Sequence, residues 1–301
     1  MSLSRCQFEI LTFLEKNGAQ VCNLRSLSQI LKISGTMIEK DIEYLCSAAL
    51  IKKDGDELSI TDKGLESLEP YRVKRAVIMA AGFGSRMVPI TLERPKPLVK
   101  INGVRIIDTL IDALVRAEVK EIIIVRGYKK EMFDELLEKY PFITLADNDV
   151  FDKTNSISSV MRVIDKIDSC YLCEADLYIS NPDIITKYQY CSNILGSYAL
   201  LTDDWCFEVE GGYIRKFCKG NNYCYNEYGI SYWTKEDSAK LREDYTKVYN
   251  EFEDGKNAIW DMVPLETFKD RYNVEVRHCQ MSDIVEVDTY SELQQLDPSY
   301  K

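Results

Sequence analysis

Met79-Ala80-Ala81-Gly82-Phe83-Gly84-Ser85-Arg86-Met87 comes directly after the apolar run Ala76-Val77-Ile78. A near-continuous apolar run reads as a strand covered on both faces, the environment of a parallel sheet. Glycines at its end let the backbone turn sharply and approach an anion, and successive N–H groups can cradle phosphate oxygens. Ala81, Gly82, Gly84 and Ser85 are therefore candidate nucleotide contacts, and Arg86 adds a forked donor suited to a polyphosphate. A dinucleotide fingerprint would demand glycine where Met87 stands, so that register does not apply. A tight turn would explain the glycines alone. It does not explain Arg86, nor the Pro95-Lys96-Pro97 segment downstream.

Beyond the loop, Ile106 to Ala117 suits a helix, Glu121-Ile122-Ile123-Ile124-Val125 a second buried strand, and Glu131 to Tyr140 another helix. This alternation predicts an α/β domain with an open, mostly parallel sheet and a ligand site at the carboxyl ends of its strands. In Arg94-Pro95-Lys96-Pro97-Leu98-Val99 the flanking prolines stiffen the segment and present Lys96 from an extended backbone toward the same strand end. Taken singly Lys96 would be a solvated lysine; paired with the glycine loop it is a far more specific signal.

The chain carries 38 Lys and Arg against 49 Asp and Glu, a net charge of −11, which disfavours broad coating of a nucleic-acid backbone. A single histidine, His278, argues against histidine-rich metal sites and His-paired nucleophiles. Catalysis is then expected from carboxylates, lysine, arginine or a bound cation. Ten scattered cysteines without an apolar opening segment point to a reducing, cytoplasmic setting. Cys170 and Cys173 lie in a strand-like run and read as packing residues rather than a redox turn. No run approaches the roughly 20 apolar residues of a membrane span.

Residues 1–72 divide from 73–301 at Pro70-Tyr71-Arg72, where proline ends a helix and an apolar strand begins. Ile10, Phe13 and Leu14 form one helical stripe, Leu24, Leu27, Ile30 and Leu31 a second, and Ile38, Ile42 and Leu45 a third. Asp54-Gly55-Asp56-Glu57 then supplies the turn of a small hairpin. Three helices and a hairpin resemble the winged helix-turn-helix superfamily, whose members often lay the third helix in the DNA major groove. Here that helix carries Glu39, Asp41 and Glu43 against Lys40, and residues 1–72 hold nine basic and eleven acidic side chains. A DNA reader should show a basic footprint, so the module is expected to serve interaction or regulation instead.

Taken together, Ala-Ala-Gly-x-Gly-Ser-Arg and Pro-Lys-Pro-Leu resemble the nucleotidyltransferases that join a nucleoside triphosphate to a phosphorylated small molecule. The resemblance runs from about residue 73 to the end, and within the family it is greatest to bacterial CTP:phosphocholine cytidylyltransferases. It implies that the glycine loop holds the triphosphate and that Arg86 and Lys96 face its phosphates. It also implies that Mg²⁺ is held by Asp176, in Glu174-Ala175-Asp176, and by Asp261, in Ile259-Trp260-Asp261. Tyr128 and Asn155 fall where the family approaches the nucleotide. A quaternary ammonium donates no hydrogen bond and is recognised by aromatic faces, so Trp205 leads a candidate choline cage with Tyr228, Trp233 and Trp260. Tyr232 and Trp233, being adjacent in a strand, face opposite ways, so at least one should be core.

The resemblance thus implies transfer of a cytidylyl group from CTP to phosphocholine, giving CDP-choline and pyrophosphate. Phosphoethanolamine and sugar 1-phosphates are the alternative acceptors; the Glu-Lys-Pro tripeptide common in the sugar enzymes is absent after residue 200. A regulator that merely senses a nucleotide or choline compound is the alternative of another class. Leu296 to Lys301 reads like a linker.

Overall fold

The computed structural model describes residues 2–18, 20–21 and 24–301, without the side chains of Gln20, Val21 and Leu24. It divides into two compact units: Met1–Arg72 with Tyr188–Tyr190, and Val73–Lys187 with Cys191–Lys301. The domain division expected near residue 72 thus gains a detail, because three residues from far along the chain group with the first unit.

In the first unit, α1 (Arg5–Asn17) begins with a capping box in which Ser4 and Gln7 satisfy each other's backbone N–H groups. It is followed by β1 (Gln20–Val21), α2 (Leu24–Leu31), α3 (Gly35–Ser47), β2 (Ile51–Asp54), β3 (Glu57–Ile60) and α4 (Asp62–Leu68). The strands form a small antiparallel sheet in the order β1-β3-β2. Ile10, Leu14, Leu27, Ile38, Ile42 and Leu45 are buried together, as their helical spacing requires. Ile30, expected on the α2 stripe, is instead 55% exposed, because α2 is short and its apolar side is taken up by Leu27. The side chain of Leu24, also expected there, lies outside the described residues. Tyr190 stacks flat on Tyr71 with ring centroids 5.6 Å apart, which fixes the returning segment in this unit.

The second unit is an α/β domain around a seven-stranded, mostly parallel sheet. Its elements run β4 (Arg75–Ala80), β5 (Lys100–Ile101), β6 (Val104–Arg105), α5 (Ile106–Arg116), β7 (Glu121–Arg126), α6 (Leu136–Lys139), β8 (Thr144–Asp147), α7 (Ile157–Arg162), β9 (Cys170–Glu174) and β10 (Leu177–Ile179). They continue with the long β11 (Asn193–Glu210) and β12 (Tyr213–Trp233), then α8 (Lys235–Glu251), β13 (Glu275–His278), β14 (Ile284–Glu286) and α9 (Tyr290–Leu296). The sheet order is β11-β13-β12-β9-β4-β7-β8. Strands β9, β4, β7 and β8 are mutually parallel, whereas β12 runs antiparallel to β9.

Alternation along β4 sends Ala76, Ile78 and Ala80 into one core with Ile107, Leu110, Ile111 and Leu114 of α5. Val77 goes to the opposite core with Leu241, Tyr245 and Val248 of α8. Tyr232 and Trp233 divide the same way between the two cores, and both are buried. The helix expected over Glu131 to Tyr140 is a 3₁₀ segment, Lys130–Glu135, that widens into the single α-turn of α6. The closing residues are not a bare linker: a 3₁₀ turn, Pro298–Tyr300, is tied back by the Tyr300 hydroxyl donating to the Lys100 carbonyl at 2.7 Å. No described helix is long and apolar enough to cross a membrane.

Candidate active site

The carboxyl ends of β4 and β9 lie side by side because the two strands are parallel neighbours, Met79 paired with Glu174. A cavity of about 430 Å³ opens there. One wall is the glycine loop, Ala81, Gly82, Gly84, Ser85 and Arg86; the other includes Glu174, Ala175 and Asp176. Gly84 has φ +68°, a left-handed conformation that costs glycine nothing, and a Cβ there would stand 3.1 Å from the Lys96 Cβ. The loop can therefore curl tightly over the lysine.

Lys96 is not presented from an extended backbone. It begins a 3₁₀ turn, Lys96–Leu98, and its side chain is 8% exposed. Its Nζ donates to Asp176 Oδ2 and Asp288 Oδ1, both at 2.9 Å. Burial alone would lower its pKa, but the two carboxylates outweigh it and hold the ammonium above its ordinary value. Arg86 grips Asp288 with both terminal nitrogens, at 2.7 and 2.8 Å. With 66% of its side chain exposed, it is free to turn toward a ligand.

Asp288 was not among the sequence candidates. It reaches the site because β14 pairs antiparallel with β10, Glu286 opposite Leu177, and the Val287 N–H donates to the Asp176 carbonyl. The Thr289–Glu292 capping box of α9 then holds the turn, Glu292 accepting from the Asp288 N–H at 2.8 Å. Asp176, Glu286 and Asp288 bring carboxylate oxygens within 4.8 Å of one another. Asp176 Oδ1 is buried with no hydrogen-bond partner, so the set fits a hard cation such as Mg²⁺. Asp261, expected as the second metal ligand, stands outside this set. It is 5% exposed, its Oδ1 is likewise unpartnered, and burial pushes its carboxyl up to about 7.

Asp261 belongs instead with a second acidic group. Burial, then Asp176 and Asp261, raise Glu174 well above the carboxylate range; burial, then Asp261 and Glu174, do the same to Glu227. Glu286 is pushed up to about 8 by burial and by Asp176 and Asp288. Gly229 makes room for this crowding: it has φ +56°, and a Cβ there would fall 2.6 Å from Glu174 Cγ. The result is a group of crowded carboxyls in which burial and mutual repulsion favour the protonated forms. The one signal in the sequence was the alternation Glu286-Val287-Asp288, which puts two acids on one face of an extended segment.

The predicted aromatic residues are not brought together as a cage. Trp260 lines the cavity, but its indole N–H donates to Glu174 at 3.2 Å. Trp205 stacks on Phe217 at 4.7 Å, Tyr228 shares a 2.9 Å hydrogen bond with Ser197, and Trp233 is fully buried with its N–H on Ser231. Trp233 is thus a core residue, for the reason its neighbour Tyr232 is: a strand inside two cores buries both faces.

Asn155, expected to contact the nucleotide, lines the cavity with Ser156, Ser158 and Ser159. Asn148, buried beneath them, donates to the hydroxyls of Ser158 and Ser159 at 2.8 and 3.2 Å. Tyr128 does not line the cavity. Its hydroxyl donates to the Thr91 carbonyl and its ring meets Phe83 of the glycine loop at 4.5 Å, so it buttresses that loop.

Residues 75–192 match the Nucleotidyl transferase family. The chain is 34% identical over 229 residues to a 2-aminoethylphosphonate cytidylyltransferase of Lancefieldella rimae, covering 75% of this chain and 92% of that protein. It is 28% identical over 232 residues to a choline-phosphate cytidylyltransferase of Haemophilus influenzae, covering 74% and 98%. The solved CTP:phosphocholine cytidylyltransferase of Streptococcus pneumoniae superposes with a TM-score of 0.70 at 27% identity, over 76% of this chain and all of that one. With its parallel sheet, glycine loop and buried lysine in this arrangement, the chain belongs to the nucleotidyltransferase family and groups with its cytidylyltransferases.

Proposed function

We propose that this protein transfers a cytidylyl group from CTP to a small phosphate or phosphonate that carries a cationic amine. The observation that carries this reading is the juxtaposition of Lys96, Asp176 and Asp288 with the acidic wall of Glu174, Glu227, Asp261 and Glu286. An acceptor oxygen attacks the α-phosphorus in line and pyrophosphate leaves. Both reactants are anionic at the reacting centre, so the protein's tasks are positioning and charge neutralisation.

Lys96 and, once released from Asp288, Arg86 serve the phosphates, with the N–H groups of residues 81–85 around them. The serines and Asn155 face the nucleoside side. Asp176, Glu286 and Asp288 are the residues that would hold Mg²⁺, which when bound supplies further neutralisation of phosphate oxygens. No protein nucleophile is called for.

The wall favours a primary ammonium over a quaternary one. Carboxylates satisfy N–H donors, whereas a trimethylammonium has none to give and needs open aromatic faces, and the rings of Trp260, Tyr228 and Trp233 are buried. Acceptors of the phosphoethanolamine and 2-aminoethylphosphonate kind are therefore placed first. Phosphocholine is the second reading: Trp205 keeps part of its ring exposed, and two of the similar proteins act on choline phosphate.

For the first unit we propose a winged-helix module used for interaction rather than DNA reading, on the acidic character of α3. Pyrophosphate release from CTP with 2-aminoethylphosphonate, phosphoethanolamine, phosphocholine and glucose 1-phosphate in parallel tests the acceptor. The amine acceptors should turn over and the sugar phosphate should not. Equal rates with glucose 1-phosphate would remove the role given to the acidic wall, and no release with any acceptor would restore the sensor alternative.

A further inference from the structure

Strands β11 and β12 form a long ribbon that folds over on itself: Phe207 pairs with Phe217 on one side and with Tyr225 on the other. Within this fold Cys206 and Cys218 are directly opposed residues of an antiparallel pair, and their sulfurs stand 3.7 Å apart. Opposed residues in such a pair have Cα atoms about 4.5–5.5 Å apart, within the roughly 4.4–6.8 Å that a disulfide spans. The pair is also asymmetric, Cys206 being buried and Cys218 partly exposed.

We propose that Cys206 and Cys218 are a reversible modification site that takes up an intramolecular disulfide from a small-molecule disulfide of the oxidised-glutathione class. The Cys218 thiolate, reached from solvent, attacks one sulfur of the reagent and expels one glutathione thiolate, forming a mixed disulfide. The Cys206 thiol then loses its proton and attacks Cys218 Sγ, expelling the second glutathione. Two protein thiols are oxidised, the reagent is reduced to two thiols, and the balance closes.

Burial and its cysteine neighbours push the Cys206 thiol up to about 12, which makes it the slow partner and Cys218 the point of entry. Cys170 and Cys173, the CxxC of the sequence, offer no such pair, because strand alternation sends them into opposite cores. Next to the linked residues, Trp205 and Phe217 are stacked, so the bond would lock the ribbon beside Trp205.

The test is to incubate the folded, full-length protein with excess oxidised glutathione, quench with an alkylating agent, and map the cysteines by mass spectrometry. The expected product has lost two hydrogens, carries a peptide linked between Cys206 and Cys218, and returns to the starting mass with dithiothreitol. Cys218→Ser should stop the link, whereas Cys224→Ser should leave it. A wild-type protein that keeps both thiols free, stops at a glutathione adduct on Cys218, or links Cys206 to Cys224 would overturn the proposal. The mapping on the unaltered chain decides this even where a variant folds poorly.

Discussion

The phosphate side of the cavity and its acidic side are assembled in opposite ways. The phosphate side comes from one short stretch, residues 80–98, in which a strand end, a glycine loop and a proline-flanked lysine succeed one another. The acidic side is Glu174 at the cavity wall with Glu227, Asp261 and Glu286 near it, brought from four distant places by cross-strand pairing and by a glycine that leaves them room. The first side is already neutralised by ion pairs within the protein, Lys96 and Arg86 on Asp288; among the described residues the carboxyls of the second make no ion pair. On the proposed reading, such a site has its triphosphate end formed in advance and its acceptor end open to a cation.

Damage to the phosphate side, or to the carboxylates that pair with its lysine, should have the greatest consequence. Lys96→Ala or Asp176→Ala should lower turnover by about 10²–10³ while leaving the fold intact by circular dichroism, in the range known for removing one charge-stabilising group. Asp288→Asn should behave like Asp176→Ala and should also weaken Mn²⁺ binding measured by electron paramagnetic resonance. Asp261→Asn should leave Mn²⁺ binding unchanged, which separates the carboxylate set found here from the one expected from sequence.

On the acidic side, Glu227→Gln should raise KM for an amine acceptor by about 10- to 100-fold, the scale of a hydrogen bond to a charged group. KM for CTP should move much less. A variant that raises both equally would mean that the two sides are not separate. Trp233→Ala probes the core, with an expected loss of about 3–5 kcal/mol in urea unfolding.

A subtler effect concerns pH. The carboxyls of Asp261 and Glu286 have pKa values raised to about 7 and about 8, so folding favours their protonated forms. The stability this contributes is present below the ordinary carboxylate pKa and is lost as pH rises through 7 to 8. A cationic acceptor prefers the ionised wall, so its affinity should rise over the same interval. Calorimetric titration of the acceptor at about pH 6 and about pH 8.5, on either side of that interval, checks this. Tighter binding at the lower pH would contradict it.

The same contrast explains what could be read from the chain in advance. Runs of apolar residues and the contiguous loop announced the parallel sheet, the strand-end site and the basic pair Arg86 and Lys96, because local chemistry alone dictates them. Asp288 was out of reach: it lies 112 positions from Asp176, and the β10–β14 pairing that joins them leaves no local signature beyond the alternation with Glu286. Trp205, Tyr228, Trp233 and Trp260 were legible as aromatics in strands or beside them, but their ring partners, Phe217 and Tyr272 among them, are set by tertiary packing. Asp261 follows from the family resemblance alone, whereas its burial beside Glu174 and Glu227 decides its chemistry.

If a CMP group is joined through phosphorus to an amine-bearing acceptor, phosphorus-31 NMR of the protein with CTP, Mg²⁺ and 2-aminoethylphosphonate should follow the bond as it forms. The CTP triplet should disappear, pyrophosphate should grow, and a new pair of coupled doublets should report a phosphonate–phosphate linkage. CTP resonances that persist unchanged, or that decay to CMP and pyrophosphate without a new coupled pair, would show that no such bond is made.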